Sequence, residues 1–150
     1  MAATYNNLYL DARKRLREAG VEGAQLEARE LVCCAAGKSR EQFYRDMALY
    51  ASDPVEEKLA ELLERRLAGE PVAYLIGEWE FYGLGLDITP DVLIPRMDTE
   101  VLAERAILLA RAAGEGARVL DLCAGSGCVG LAVAANVPGC RVVQIGRAHV

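Results

Sequence analysis

Histidine is almost absent from this chain: the one present is His149, at the C-terminal edge. Five cysteines occur (Cys33, Cys34, Cys123, Cys128 and Cys140), and no two form a Cys-x-x-Cys pair. With neither ligand type at metal-site spacing, no metal centre is expected. Adjacent Cys33 and Cys34 sit in a helical pattern and read as small core hydrophobes rather than reactive thiols. Long apolar runs are missing too. None reaches the roughly 18 residues that a membrane span needs. The N-terminus, Met1-Ala-Ala-Thr-Tyr-Asn-Asn, has no basic segment leading into an apolar core, so no signal peptide is expected and the cytoplasm is the default location. Positive charge is also in short supply. A net charge of -5 gives no electrostatic reason to expect direct nucleic-acid binding.

What is present describes a folded protein. Apolar residues make up 53% of the 150 positions, which argues against disorder and allows one ordinary domain or two small ones. Tyr5, Leu8, Tyr9, Ala12, Leu16 and Ala19 recur at helical spacing, with a stop near Gly20. A second helix is expected over about 24–36, with Leu26, Leu31, Val32 and Ala35 inward and Gly37 as the stop. Ser39 suits the cap of a short third helix through Phe43 and Tyr44. Asp53-Pro54-Val55-Glu56 reads as a capping box with proline at the first helical position. Val55, Leu59, Leu62, Leu63 and Leu67 then form an apolar stripe ending at Gly69. These four segments predict a compact helical domain over residues 1–70.

Residues 71–98 change character. Pro71 to Gly77 reads as a bridge. Trp79, Phe81 and Tyr82, then Leu84, Leu86 and Ile88, read as two short strands around Gly83-Leu84-Gly85. Pro95 disfavours helix at Ile94. Asp98 or Thr99 is expected to cap the next helix, with Leu102, Ala106, Leu109, Ala110 and Ala113 apolar.

The most informative stretch is Val119-Leu-Asp-Leu-Cys-Ala-Gly-Ser-Gly-Cys-Val-Gly130. It reads as a buried strand carrying an acid near its end, then a glycine loop opening an apolar helix. Such a loop lets a nucleotide-like ligand approach the backbone at a helix N-terminus. Gly125-x-Gly127-x-x-Gly130 satisfies the dinucleotide fingerprint, so a nicotinamide dehydrogenase is one reading. Two features favour S-adenosyl-L-methionine instead. Asp121 lies four residues before Gly125, where methyltransferases place an acid that faces the amino-acid part of that cofactor. A whole helical domain and a hairpin also precede the strand, whereas dinucleotide folds often begin near it.

Five segments in this order and spacing carry a resemblance: Pro71-Val-Ala-Tyr-Leu-Ile-Gly77, Phe81-Tyr-Gly83, Val92-Leu-Ile-Pro-Arg96, Asp98-Thr-Glu100 and Asp121-Leu-Cys-Ala-Gly-Ser-Gly127. Over residues 5–143 the chain resembles the PrmC/HemK family of peptide chain release factor glutamine-N(5) methyltransferases. The resemblance implies an α/β protein: a helical bundle (1–70) that recognises the release factor, a linker with a β-hairpin (71–98), and the start of a Rossmann-like methyltransferase domain (99–143). It implies that Asp121, Cys123, Ala124, Gly125, Ser126 and Gly127 hold S-adenosyl-L-methionine. Pro95, Arg96, Thr99 and Glu100 would form the wall near the reacting groups. The substrate would be the glutamine of the Gly-Gly-Gln loop of release factors, and the full-length form is expected to be monomeric.

The sequence departs from the family pattern in places. Cys123 stands where the loop often has glycine, and Met97 replaces a usual proline. The family aligns its substrate amide with an Asn-Pro-Pro-Tyr loop. Prolines occur here at 54, 71, 90, 95 and 138, so that loop is missing and no catalytic residue is assigned. The acid expected on the cofactor ribose should fall near position 146, where Gly146 stands. Ile145 to Val150 coincides with the in-frame translation of a common sequencing adaptor (ATC GGA AGA GCA CAC GTC, then a stop), and Gln144 shares the junction. Residues 144–150 are therefore expected to be a non-native tail and this chain to be inactive by itself. Lacking further strands, the stretch after Ala117 is expected to be mobile or aggregation-prone. A helical module that docks a release factor without catalysis is the alternative from another class.

Overall fold

A computed structural model describes residues 3–146 of the chain, as two compact units divided between Ile76 and Gly77. The first unit is all helical: α1 (Tyr5–Glu18), α2 (Ala24–Ala36), α3 (Arg40–Asp46), α4 (Asp53–Leu67) and α5 (Val72–Ile76). Helix α2 is central and touches each of the other four. Its inward stripe is Ala24, Ala28, Leu31, Val32 and Ala35, which meets Ala12 and Leu16 of α1 and Leu59, Leu62 and Leu63 of α4 in the buried core. Leu26, expected inward, is exposed instead, because the small residues Ala24 and Ala28 take the face toward the neighbours. Arg66 grips Glu27 through two nitrogens (2.6 and 3.3 Å), tying α4 to α2. Burial pushes the Cys33 thiol up to about 11, which suits its core role.

The caps are only partly as expected. Ser39 and Gln42 form the reciprocal capping box that opens α3. At α4 the cap residue is Ser52 rather than Asp53, and no side chain caps it. Glu56 does not close a box, since its Oε1 accepts the Ala3 N–H at 2.9 Å. The bridge expected over Pro71–Gly77 is helical: α5 begins just after Pro71 and buries Val72 and Ala73 in the first unit. Five residues are too few to show a helical period in the sequence.

The second unit opens with a hairpin, β1 (Glu78–Phe81) against β2 (Leu84–Asp87). The turn is Tyr82-Gly83, one position earlier than expected, and Gly85 lies inside β2 opposite Glu80. Helix α6 (Met97–Ala113) follows, then β3 (Arg118–Leu122), α7 (Cys128–Asn136) and β4 (Arg141–Ile145). Strands β3 and β4 are parallel, with Val119 opposite Val142 and Asp121 opposite Gln144. This is the first βαβ step of a Rossmann-like sheet, so the chain is an α/β protein with a helical N-terminal bundle.

Helix α6 starts at Met97, so Arg96 is its cap and neither Asp98 nor Thr99 is. Its buried stripe is Ala103, Ile107 and Ala110, while the apolar Leu102 and Leu109 are exposed. Ile107 and Ala110 join Ala117, Val133 and Val137 in a small core that Val119 and Val142 line from the sheet. Residues after Ala117 thus gain a partner that the sequence reading overlooked, namely α6. The other face of the sheet, with Leu120, Leu122, Val143 and Ile145, is exposed. Of the expected tail, Gln144 and Ile145 belong to β4, while residues 147–150, including His149, lie outside the described residues.

Candidate functional site

In parallel α/β sheets, ligands bind beyond the carboxyl ends of the strands. Here that end is built by residues 121–130 and the end of β4. Asp121 is half-buried, and its Oδ2 accepts the Gly130 N–H at 3.0 Å. Gly130 is the third residue of α7, so the β3 acid accepts an amide of that helix's first turn from across the loop. The same Oδ2 accepts from Gln144 Nε2 at 3.0 Å. Both bonds fall on Oδ2, and among the described residues Oδ1 carries none.

The loop alternates in hand. Cys123, Gly125 and Gly127 have φ of 59, 58 and 81°. Alternation of this kind curls successive amides around a concave surface that suits a negatively charged or polar group. The loop is closed by Gly127 N–H to the Ala124 carbonyl (2.8 Å) and moored by Ala124 N–H to the Ile145 carbonyl (3.1 Å). Cys123 is exposed and adopts a left-handed conformation that glycine takes more easily. A Cβ built on Gly125 would meet nothing within 4 Å, so the loop's outer side is open. A side chain at position 146 would begin 3.5 Å from the Ala124 amide nitrogen and 3.7 Å from that of Gly125. The spot expected for a ribose-binding acid is therefore beside the loop, and glycine occupies it.

Gln144, which the sequence reading assigned to a non-native tail, takes part in this arrangement. Its Nε2 donates to Asp121 Oδ2 and to the Gly127 carbonyl (2.8 Å), stapling β4 to β3 and to the loop. The available signal was register: two parallel strands starting at Arg118 and Arg141 place residues 121 and 144 side by side. A Cβ on Gly130 would fall against Gln144 Nε2 and 3.0 Å from Asp121 Oδ2. A side chain at 130 would therefore require the Gln144 amide to shift.

Asp121 at the end of β3 and Cys123, Ala124, Gly125, Ser126 and Gly127 in the following loop thus lie together between β3 and α7. The second expected set lies along the start of α6. Pro95 is buried, Arg96 is the exposed cap residue, and Thr99 donates its N–H to the Arg96 carbonyl (3.0 Å). Glu100 Oε1 accepts the Tyr82 N–H at 2.9 Å. Among the described residues no hydrogen bond or ion pair joins this set to the glycine loop.

These features define a class: a helical domain followed by the opening of a Rossmann-like α/β domain, with an acid and a glycine loop at the strand–helix junction. Comparison with known proteins narrows it. Residues 7–77 match the PrmC N-terminal domain. The chain is 40% identical over 133 residues to a release factor glutamine methyltransferase of Geobacter sulfurreducens, covering 89% of this chain and 46% of that protein. It is 39% identical over 137 residues to the one of Salmonella typhimurium (91% and 48%) and 37% over 145 residues to the one of Vibrio cholerae (97% and 50%). The helical unit thus matches the PrmC N-terminal domain, and some nine-tenths of the chain is similar to release factor glutamine methyltransferases. It spans about half the length of the curated relatives it matches.

Proposed function

We propose that the whole protein transfers a methyl group from S-adenosyl-L-methionine to the side-chain amide of the glutamine in the Gly-Gly-Gln loop of peptide chain release factors. In this reading the chain supplies the release-factor-recognition bundle and the cofactor-binding start of the catalytic domain. The observation that carries it is the Asp121–glycine loop geometry in a chain of this family. Among the described residues Asp121 Oδ1 has no partner, while Oδ2 anchors the loop. A carboxylate so placed fits the cofactor's ammonium group, and the curled loop, whose Ala124 and Gly127 amides are bonded internally, offers its remaining amides to the cofactor's carboxylate. A residue at 146 that reached the ribose would complete the set.

The cofactor would supply an activated methyl on a sulfonium, so rate comes largely from alignment. The residues of this chain would orient and hold. Asp121 and the loop fix the cofactor, and Pro95, Arg96, Thr99 and Glu100 shape the adjoining wall. No Asn-Pro-Pro-Tyr stretch occurs, so the chain alone would bind cofactor without transferring methyl groups. Incubating it with labelled S-adenosylmethionine and a release factor tests this: retained cofactor with no labelled release factor is the expected result. Labelled factor would contradict the inactivity, and no retained cofactor would contradict the site.

The helical unit supports a second reading, a non-catalytic docking module. It is compact up to Ile76 and coincides with the matched domain. Capture of a release factor by residues 1–76 would support it, and failure alongside capture by a full-length relative would remove it.

A further inference from the structure

We propose that Glu100 is a positioning residue whose carboxylate holds the β1–β2 turn in place, rather than a group that faces substrate. The turn consists of Tyr82 and Gly83, with φ of 50 and 76°. Two positive φ values mark the hairpin turn whose twist matches that of the strands, and its first position favours asparagine, aspartate or glycine. Tyrosine is poorly suited to that backbone. Its side chain has a separate use: Tyr82 packs against the core of Ile107, Ala110, Ala117, Val133 and Val137. A bulky residue is thus kept for packing in a conformation it resists.

Glu100 offsets this. Its Oε1 accepts the Tyr82 N–H at 2.9 Å across 18 residues of sequence, in a partly buried setting. Glu100 lies in the first turn of α6, so the bond ties the hairpin to that turn and to Pro95 and Arg96 just before it. Oε1 of the carboxylate is engaged with backbone rather than presented to a ligand. This deepens the reading of residues 95–100 as a wall and rests on it for its functional consequence: Glu100 sets where Pro95 and Arg96 stand relative to the hairpin.

Hydrogen exchange on the full chain tests the inference without cofactor or activity, so its outcome is separate from that of the proposed function. Glu100→Ala removes the acceptor; Glu100→Gln keeps an acceptor oxygen at the same reach. The expected result is exchange in residues 78–88 faster by about tenfold in Glu100→Ala, the scale of one lost hydrogen bond, with Glu100→Gln close to the parent. Residues 5–67 should be unchanged in both, which also reports that the chain has folded. Should the alanine variant exchange like the parent, or the glutamine variant like the alanine one, the positioning role is overturned. The second outcome would leave only the favourable charge of Glu100 at the helix start.

Discussion

Asp121 and Gly130 are joined by one hydrogen bond, from the Gly130 N–H to Oδ2, at 3.0 Å. The acid expected to face a cofactor therefore also accepts an amide of the first turn of α7, whose cap residue is Gly127. The two roles use different oxygens, and substitutions can separate them. Asp121→Ala should lose both, costing about 1 kcal/mol of stability as a lost cap does. Asp121→Asn retains a carbonyl oxygen for the Gly130 amide but loses the charge. It should melt near the parent yet bind S-adenosylmethionine on the order of tenfold more weakly or worse, as loss of a charge-assisted bond implies. Thermal melts beside binding isotherms would read the two effects. Equal cofactor affinity in Asp121→Asn and the parent would remove Asp121 from the cofactor site.

Gly130 and Gln144 should be energetically coupled. Alanine is the better helix former by roughly 1 kcal/mol, yet its Cβ at 130 would displace the Gln144 amide from Asp121 and Gly127. Gly130→Ala alone should destabilise by about 1–2 kcal/mol through overpacking. In a Gln144→Ala background the same change should be neutral or stabilising. Denaturant midpoints of the four proteins measure the interaction, and additive effects would show that the contact is unimportant.

Met97 is the first residue of α6 and is 83% exposed. Proline is welcome at that position, where the N–H has no helical partner. Arg96 before it has φ -97° and ψ 150°, an extended conformation that a following proline accepts. Met97→Pro should stabilise by about 0.4–1 kcal/mol by restricting the unfolded chain. A lowered melting temperature would mean that α6 does not begin there.

Asp46 gives the helical unit its acid sensitivity. Hydrogen bonds from Arg45 (2.8 Å) and then Lys38 (2.7 Å) hold its carboxyl well below the usual carboxylate range. With the folded value depressed, the stabilisation is complete above the unfolded value near pH 4 and fades as pH falls below it. The parent should lose stability below that pH more steeply than Asp46→Asn, and the difference should level off above it. Parallel pH profiles would contradict the pairing.

Much of this architecture is legible in sequence because it is local. Helical periodicity and glycine stops give α1, α2 and α4, and the Ser39 cap gives α3. The strand, acid and glycine loop of residues 119–130 announce themselves by composition. What was not legible depends on distant partners. Glu56 is drawn to Ala3 rather than to its own helix start, and Leu102 and Leu109 lie outward because Ala103, Ile107 and Ala110 face α7. Gln144 reaches Asp121 only through the β3–β4 register, and Glu100 reaches Tyr82 only once the hairpin meets α6.

Calorimetric titration of the chain with S-adenosyl-L-methionine tests the central claim most directly, with NAD as the competing ligand. The account predicts saturable binding of one equivalent, displaced by S-adenosylhomocysteine, weakened in Asp121→Asn and strengthened by Gly146→Glu, whose side chain would start beside the Ala124 and Gly125 amides. Binding of NAD in its place, or of neither ligand to the folded chain, would contradict it.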